Sequence, residues 1–408
     1  MERMIVATAA LAFALSACGS PLQDTTFVVS SDPDLRARVA ELLPDLAARA
    51  GMELVRPIRA ERRTREELET YLLFKLDQEL PPEEARNLTK TYSLIGLVDE
   101  DLDLRELLVS VYKEQVAGFY DPDSTALFVM DDMPPEMLET VLVHELVHAV
   151  QDQTANLDSL TAEVRGNDRQ AAAQSAIEGH ATLIMFEYMA EQMGGQPFDI
   201  TELPDFSQML APALEAMRSQ YPALAAAPTI IQEDLLFPYL RGAAFVAELW
   251  ERKEGRPPPF GSDLPQSTEQ ILHPTRAFGV EPDMPTDLEV TPGPGFEILY
   301  GNTFGQAEFE VFLGEHLGPE GRSLAQGWDG DRYELLRGPD GEEGLVWVSV
   351  WDSEGERDRF VDGFQTVLPR LQAPATLEAM EIMGRPGAIL RVHLPMDVSV
   401  QVRERSAR

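Results

Sequence analysis

The sequence Val143-His144-Glu145-Leu146-Val147-His148-Ala149-Val150 contains an HExxH motif, with two histidines four positions apart and a glutamate directly after the first. It lies in an apolar segment that predicts a helix through about Asp152. In a helix, His148 lies about 40° around the axis from His144 and one turn further along. Both imidazoles can therefore reach one metal ion, with Glu145 at the edge of the same face.

This arrangement suits zinc-dependent hydrolysis. Neutral imidazoles bind Zn²⁺, and a carboxylate that is not a ligand can take a proton from a water molecule whose pKa the metal lowers. With six histidines in 408 residues, a chance HExxH motif is expected roughly 0.01 times in the chain. We interpret His144 and His148 as zinc ligands and Glu145 as the general base. The alternative is two surface histidines on a helix.

Two histidines and a water leave a tetrahedral zinc site one protein ligand short. Gln151 and Thr154 stand where a metzincin would have Gly and His, which excludes that family. Asp152 lies about 12 Å along the helix axis from His144, so we predict a role behind the ligands or on the surface for it. The remaining candidates are on the next long helix, predicted over 169–193.

Glu178-Gly179-His180-Ala181 lies on that second helix. Together with HExxH it resembles the gluzincin metallopeptidases, in which a glutamate on a following helix, often as Glu-Gly-x-Ala, completes the zinc site. The resemblance implies that Glu178 is the third ligand. Gly179 is expected to let the two helices approach closely, and His180 is the rival ligand.

The sequence departs from the gluzincin pattern in two ways. His148 and Glu178 are 30 positions apart, longer than is usual in that group, which implies an inserted loop over 156–168. Thr182 stands four positions after the glutamate, where thermolysin-like enzymes have an Asp that supports a histidine ligand. The sequence therefore does not identify the group that supports a ligand from behind.

A further resemblance concerns the group that would stabilise the oxyanion. Tyr239-Leu240-Arg241-Gly242 is similar to the Tyr-x-Lys-Gly of aminopeptidase-type gluzincins, with Arg for Lys. The resemblance implies that the Tyr239 hydroxyl faces the tetrahedral intermediate. The alternatives are that Tyr239 is a packing residue, or that His273 has this role. Ser267 and Gln270, just before His273, are at least as well explained as a helix-capping box as by an active-site role of this segment.

A short strand, Ala126–Met130, precedes the HExxH helix in the sequence. Zincins hold an extended substrate against the edge strand of a small sheet by backbone pairing. The resemblance implies that a peptide would lie antiparallel to this strand. The alternative is an interior strand that does not contact substrate.

The N-terminus predicts export and lipidation. Residues 1–17 combine Arg3, an apolar run and small residues, as in a secretory signal peptide too short to span a bilayer. Leu15-Ser16-Ala17-Cys18 resembles the bacterial lipobox, which implies acylation of Cys18 and removal of the preceding peptide. Gly19, where retained lipoproteins have Asp, implies the outer membrane. The alternative is an ordinary signal peptide with an incidental cysteine.

Composition restricts the possible functions further. The chain has 33 Lys plus Arg against 70 Asp plus Glu, a net charge of −37, which argues against a nucleic-acid partner. Hydrophobic residues make up 44% of the sequence, enough for a large core. Cys18 is the single cysteine, so no intramolecular disulfide can form.

The hydrophobic periodicity predicts a mostly helical α+β fold. We expect a zincin-like catalytic core, made of a small sheet, the HExxH helix and the Glu helix, followed by a C-terminal α+β unit. The predicted regions are a signal peptide (1–17), a lipidated tether (18–30), an N-terminal helical region (31–115), a zincin-like catalytic domain (116–280) and a C-terminal α+β domain (296–400). Helices are predicted over 35–50, 64–80, 82–95, 104–115, 134–152, 169–193, 231–253 and 356–371, and strands over 333–336, 345–351, 377–383 and 388–393.

These patterns predict a membrane-anchored peptidase that binds one Zn²⁺ per chain and hydrolyses peptides or proteins. The expected location is the bacterial cell envelope, at the outer membrane, facing the periplasm or the cell surface. The alternative is a catalytically inactive, zincin-like envelope lipoprotein that binds metal or partner proteins. The intact Glu145 argues against it, because binding alone does not require this residue.

Overall fold

Four helices dominate the first part of the chain, where the sequence predicts them. The computed structural model describes residues 6–7, 27–162, 165–196, 198–202, 220–394 and 400–404. The helices are α1 (Pro33–Ala50), α2 (Arg65–Glu79), α3 (Pro82–Leu94) and α4 (Leu104–Gln115). Asp32 caps α1 by accepting two backbone N–H groups, and Thr64 forms a capping box with Glu67 at the start of α2.

A small mixed sheet joins this region to the helices that carry the predicted site. Its strands, in spatial order, are β1 (Val6–Ala7), β4 (Gly118–Asp121), β5 (Ala126–Met130), β3 (Ile58–Arg63) and β2 (Val28–Val29). Strand β5 pairs with β3 in parallel and with β4 in antiparallel orientation. Because both of its edges are paired, the expectation that β5 is a substrate-binding edge strand is wrong, and it is an interior strand.

Three long helices surround the predicted site. They are α5 (Leu138–Ala155), α7 (Asn167–Gly194) and α9 (Thr229–Arg252). Helix α5 packs on β4 and β5 and against α1 and α7, while α9 runs along α7. Shorter elements are α6 (Leu157–Leu160), α8 (Pro222–Ala226), α10 (Thr268–Leu272), α11 (Pro274–Ala277) and 3₁₀ turns at Pro135–Met137, Ile200–Glu202 and Gly261–Asp263.

The C-terminal part forms a second, antiparallel sheet with helices. Its strands are β7 (Glu297–Asn302), β8 (Trp328–Arg337), β9 (Glu343–Trp351), β10 (Ala375–Ile382) and β11 (Arg385–Val392), in the order β10-β11-β9-β8-β7. Helices α12 (Gly305–Leu317) and α13 (Glu354–Gln365) cover one face, and the pair β6 (Leu288–Pro292) and β12 (Val400–Glu404) covers the other. The 3₁₀ turns here are Pro319–Ala325 and Leu368–Arg370. The fold is therefore mostly helical α+β, as predicted.

Buried polar contacts join this C-terminal unit to the N-terminus of α7. Asn302 accepts the backbone N–H of Asn167 at 3.0 Å and donates to the Asn167 side chain at 2.7 Å. The backbone N–H of Asp168 donates to the Thr303 hydroxyl at 3.3 Å. Asp168 also accepts from the backbone N–H of Thr268 in α10 at 2.8 Å and from its hydroxyl at 2.6 Å, and that hydroxyl accepts the backbone N–H of Ala307 in α12 at 3.1 Å. The C-terminal unit thus contacts the helix that carries the predicted third ligand.

The predicted lipidation site lies outside the described residues. Of the predicted signal peptide, the structure describes only Val6–Ala7, which pair with β4, and the description resumes at residue 27, beyond Cys18 and most of the predicted tether. Within the described ranges, no helix combines the length and the apolar composition required to cross a membrane. The predictions of a signal peptide and of acylation therefore stay predictions.

Candidate metal centre

The HExxH motif lies in the middle of α5. His144, Glu145 and His148 are each 0% exposed, and the whole stretch from Thr140 to Asp152 is buried. Leu146 and Val147, between the histidines, are apolar and belong to the core that α5 shares with α1 and α7. Packing on every side holds the helix in place, so the two imidazoles have defined positions.

Glu178 of α7 meets both histidines. Its Oε2 lies 3.1 Å from Nε2 of His144 and 3.4 Å from Nε2 of His148. One ligand atom from each residue lies within 4.8 Å of the others. Tetrahedral zinc with bonds of about 2.0–2.1 Å places its ligand atoms about 3.3 Å apart, so the donor set fits zinc. The three residues form an HExxH…E group like that of zincins.

The electrostatics of this group favour a cation. Burial opposes ionisation of Glu178, but the neighbouring His148 and His144 lower the pKa of its carboxyl to about 2. Burial lowers the pKa of His144, whereas the Glu178 carboxylate raises the pKa of His148 against the effect of its burial. The site therefore stabilises positive charge next to an ionised carboxylate, as a divalent metal requires.

Two glutamines hold the ligands from behind. Gln151 accepts from Nδ1 of His148, with 2.8 Å between the nitrogen and Oε1, and Gln174 donates to Oε1 of Glu178 at 2.9 Å. The Thr182 hydroxyl is buried without a hydrogen-bond partner among the described residues, so it does not replace the Asp of thermolysin-like enzymes. Neither glutamine is predicted from the sequence as a support for a ligand. Their spacing, three after His148 and four before Glu178, is the signal that could have identified them.

Glu145 is outside the ligand set. Its Oε2 accepts the backbone N–H of Tyr120 in β4 at 2.9 Å. Tyr120 is itself held by Asp152, whose Oδ2 lies 2.8 Å from its hydroxyl and 2.6 Å from Nη2 of Arg56. Asp152 is buried and lies behind the site, one of the two roles predicted for it. The carboxylate of Glu145 is therefore fixed beside the metal group without binding to it.

His180 does not take part in ligation. Its Nδ1 lies 3.0 Å from Nε2 of Gln151, and its ring makes T-shaped contacts with Trp250 and Phe260. Burial, and to a smaller extent His148, lower the pKa of His180 to about 3, so the ring is neutral. Between the two candidates on α7, the structure places Glu178 at the histidines and His180 behind them.

Tyr239 lies beside the metal group. Its ring centre is 6.1 Å from that of His144, and its hydroxyl hydrogen-bonds to the Glu178 carboxylate. Burial, Glu178 and Glu145 raise the pKa of Tyr239 well above its ordinary value, so the phenol keeps its proton. His273 instead contacts Gln306 of α12, at 3.1 Å. Of the two oxyanion candidates, the structure brings only Tyr239 to the site.

The close helix approach predicted at Gly179 involves a different partner. A Cβ atom at Gly179 would lie 2.1 Å from the carbonyl carbon of Gly242 in α9. The expectation that this glycine serves the contact between the HExxH helix and the Glu helix is therefore wrong. Gly179 instead allows the backbones of α7 and α9 to come into contact.

A second carboxylate group, Glu269, Asp283 and Asp352, has a different explanation. Nη1 of Arg276 lies 3.1 Å from Glu269 and 2.8 Å from Asp352, and it also pairs with Asp283. The guanidinium already occupies the centre of this group. It is an ion-pair network between α10, α11 and the end of β9.

Residues 298–403 match a family described as a domain of unknown function, DUF8575. The match covers most of the C-terminal unit and does not extend to α5, α7 or α9. None of the curated proteins and none of the solved structures matches the chain. The geometry of the candidate metal centre is therefore the feature of this protein that points to a function.

Proposed function

We propose that the protein is a membrane-anchored, zinc-dependent peptidase of gluzincin type. One observation carries the proposal: one ligand atom from each of His144, His148 and Glu178 lies within 4.8 Å of the others, while the glutamate of HExxH is outside the set. The carboxylate of Glu145 lies beside the ligand atoms without joining them, as a general base for a metal-bound water requires.

Each residue then has a distinct part in peptide hydrolysis. His144, His148 and Glu178 would hold one Zn²⁺, which supplies an acidified water and polarises the scissile carbonyl. Glu145 takes the proton of the attacking water and passes it to the leaving amine. Tyr239, protonated because of its burial, donates a hydrogen bond to the developing oxyanion.

The location of the enzyme follows from the N-terminal sequence. Acylation of Cys18 would anchor the protein in the bacterial cell envelope, at the outer membrane, where peptides or proteins are its substrates. The net charge of −37 gives the body little attraction for anionic headgroups, so lipid is the proposed means of anchoring.

One observation favours the competing function, a metal-binding lipoprotein without catalysis. His144 and His148 are 0% exposed and Glu178 is 1% exposed, so other side chains cover the ligands from solvent and a peptide has no exposed ligand surface to approach. Such a protein would bind zinc and partner proteins but would not hydrolyse peptides.

Zinc content and hydrolysis separate the two functions. In full-length protein purified in detergent, we expect one zinc per chain by elemental analysis and cleavage of casein or a broad peptide library. Glu145→Gln should keep the zinc and lose cleavage, whereas Glu178→Ala should lose the zinc. Glu139→Gln, six residues earlier on α5, is the matched control for a neutralised glutamate. Zinc binding without cleavage of any substrate would favour the non-catalytic lipoprotein, and full activity of Glu145→Gln would refute the assignment of the base.

A further inference from the structure

Gln151 lies behind the metal centre, and both the oxygen and the nitrogen of its side-chain amide make hydrogen-bond contacts. It is 0% exposed, and its amide makes three hydrogen-bond contacts. Oε1 lies 2.8 Å from Nδ1 of His148, while Nε2 lies 3.0 Å from the main-chain oxygen of Ile177 and 3.0 Å from Nδ1 of His180. Gln151 therefore connects the HExxH helix α5 with the Glu helix α7.

The Ile177 carbonyl determines the proton positions in this network. A main-chain oxygen can only accept, so the group of Gln151 that faces it must be the NH₂. Oε1 then faces His148, and an amide oxygen can only accept. His148 must therefore carry its proton on Nδ1, which leaves the Nε2 lone pair for the metal.

The same reasoning applies to His180. The second N–H of Gln151 points to its Nδ1, which must accept and therefore has no proton. The neutral ring then carries its proton on Nε2. The network thus places His148 and His180 in opposite tautomers, although both rings contact one amide.

We infer that Gln151 is a positioning residue that selects the metal-binding tautomer of His148. The Ile177 carbonyl fixes the orientation of the Gln151 amide, and His180 accepts the second N–H of that amide. This inference rests on the proposed metal site and goes beyond the ligand set.

An amide differs chemically from a carboxylate in this position. A carboxylate makes the histidine more basic through its negative charge, whereas the neutral amide orients the ring without adding charge. Gln151 would also make the positions of α5 and α7 depend on each other, since its two ends bind groups on both helices. Loss of the amide should therefore loosen the ligand set.

The tautomers can be measured in the unaltered protein. Long-range ¹H–¹⁵N correlation spectra of full-length protein labelled with ¹⁵N-histidine distinguish the two neutral forms of each ring, and a His180→Leu sample assigns the signal of His180. We expect His180 as the Nε2–H form with and without zinc, and His148 with a proton on Nδ1. An Nδ1–H form of His180 would place two N–H groups against each other and would overturn the inference.

Metal affinity gives a second, independent readout. Competition with a chromophoric chelator should show zinc bound about 10- to 100-fold more weakly by Gln151→Leu. Gln170→Leu is the matched control, because Gln170 is also buried and donates to a main-chain oxygen, that of Thr161, away from the ligands. It should bind zinc like the unaltered protein, and His180→Leu should lose less affinity than Gln151→Leu.

The outcomes separate the two proposals. Absence of zinc binding in the unaltered protein would refute the proposed function, while the tautomer of His180 would still test the network. Zinc affinity of Gln151→Leu equal to that of Gln170→Leu would refute the positioning role and leave the metal site intact. If Gln151→Leu does not fold, the spectra of the unaltered protein decide the question.

Discussion

Gly179 of α7 and Gly242 of α9 lie in backbone contact. A Cβ at Gly179 would stand 2.1 Å from the carbonyl carbon of Gly242, and a Cβ at Gly242 would stand 1.9 Å from the carbonyl oxygen of Ser175. Glu178 precedes the first glycine by one position and Tyr239 precedes the second by three. The contact between the glycines therefore sets the distance between the third ligand and the proposed oxyanion donor.

Gly179→Ala should destabilise the protein strongly. The added methyl group meets main-chain atoms that cannot move aside without separating the helices, so we expect a loss of about 3 kcal/mol or more in the free energy of unfolding. Gly194→Ala is the control on the same helix, since a Cβ there meets nothing within 4 Å. It should change stability by less than about 1 kcal/mol in either direction. Urea unfolding measures both, and equal stability of the two variants would contradict the close packing.

Tyr239→Phe should lower catalysis at saturating zinc, beyond any loss of metal affinity that follows from its missing hydrogen bond to Glu178. Loss of one oxyanion donor reduces kcat by about 10²- to 10³-fold in other enzymes. Tyr188→Phe is the matched control, because the Tyr188 hydroxyl binds Glu139 at 2.7 Å, away from the ligands. Steady-state peptide hydrolysis and zinc analysis test this prediction. A Tyr239→Phe enzyme as active as Tyr188→Phe would assign Tyr239 to packing, as the alternative interpretation of the sequence holds.

Asp168→Asn should change how stability depends on pH. Burial, reinforced by Asp331 and opposed by hydrogen bonds from Thr268 and by the charge of Arg169, raises the pKa of Asp168 to about 7. Its unfolded pKa is about 3.9, so the stability it contributes is complete below about pH 4 and is lost as the pH rises through about 7. Asparagine does not ionise, so the Asp168→Asn variant does not lose stability in this way as the pH rises.

The difference in free energy of unfolding between Asp168→Asn and the unaltered protein should therefore move in favour of the variant by about 3 kcal/mol between about pH 5 and pH 8. Urea unfolding at several pH values measures it. Burial, with a smaller contribution from Asp168, also raises the pKa of Glu269, to about 9. Glu269→Gln is therefore compared in parallel. A constant difference over this pH range would show that Asp168 is ionised throughout.

Asp331→Ala should unfold the C-terminal unit more easily. Asp331 is 1% exposed and accepts from the backbone N–H groups of Phe304 and Gly305, at 3.0 Å each, and from the indole N–H groups of Trp328 and Trp347, at 3.1 and 3.0 Å. Its removal leaves four buried donors without this acceptor, at a cost of about 3 kcal/mol or more.

Exposed Asp340, in the turn between β8 and β9, is the control for Asp331→Ala. Asp340→Ala should change the free energy of unfolding by no more than about 0.5 kcal/mol. Tryptophan fluorescence during urea unfolding reports on both, since Trp328 and Trp347 belong to the affected core. Equal midpoints for the two variants would contradict the central role of Asp331.

Local patterns in the sequence predicted the helices well and the first sheet poorly. Helices α1 to α4 carry apolar residues at three-to-four spacing and lie within a few residues of their predicted bounds. Strand β3 was missed because Ile-Arg-Ala-Glu-Arg-Arg is mostly charged, with only Ile58 and Ala60 buried. That omission explains the wrong prediction for β5, since β3 occupies the edge that a substrate would need.

For the metal centre, the sequence by itself determined the relative positions of His144, Glu145 and His148. These residues lie within one and a half turns of a single helix, so their mutual geometry depends only on helix dimensions. The tertiary structure alone brought Glu178 to the histidines, Tyr239 to Glu178, and Gln151 between His148 and His180. Those contacts join separate helices whose distance is set by packing, above all by two glycines that allow the backbones of α7 and α9 to touch, and packing of this kind has no local sequence period.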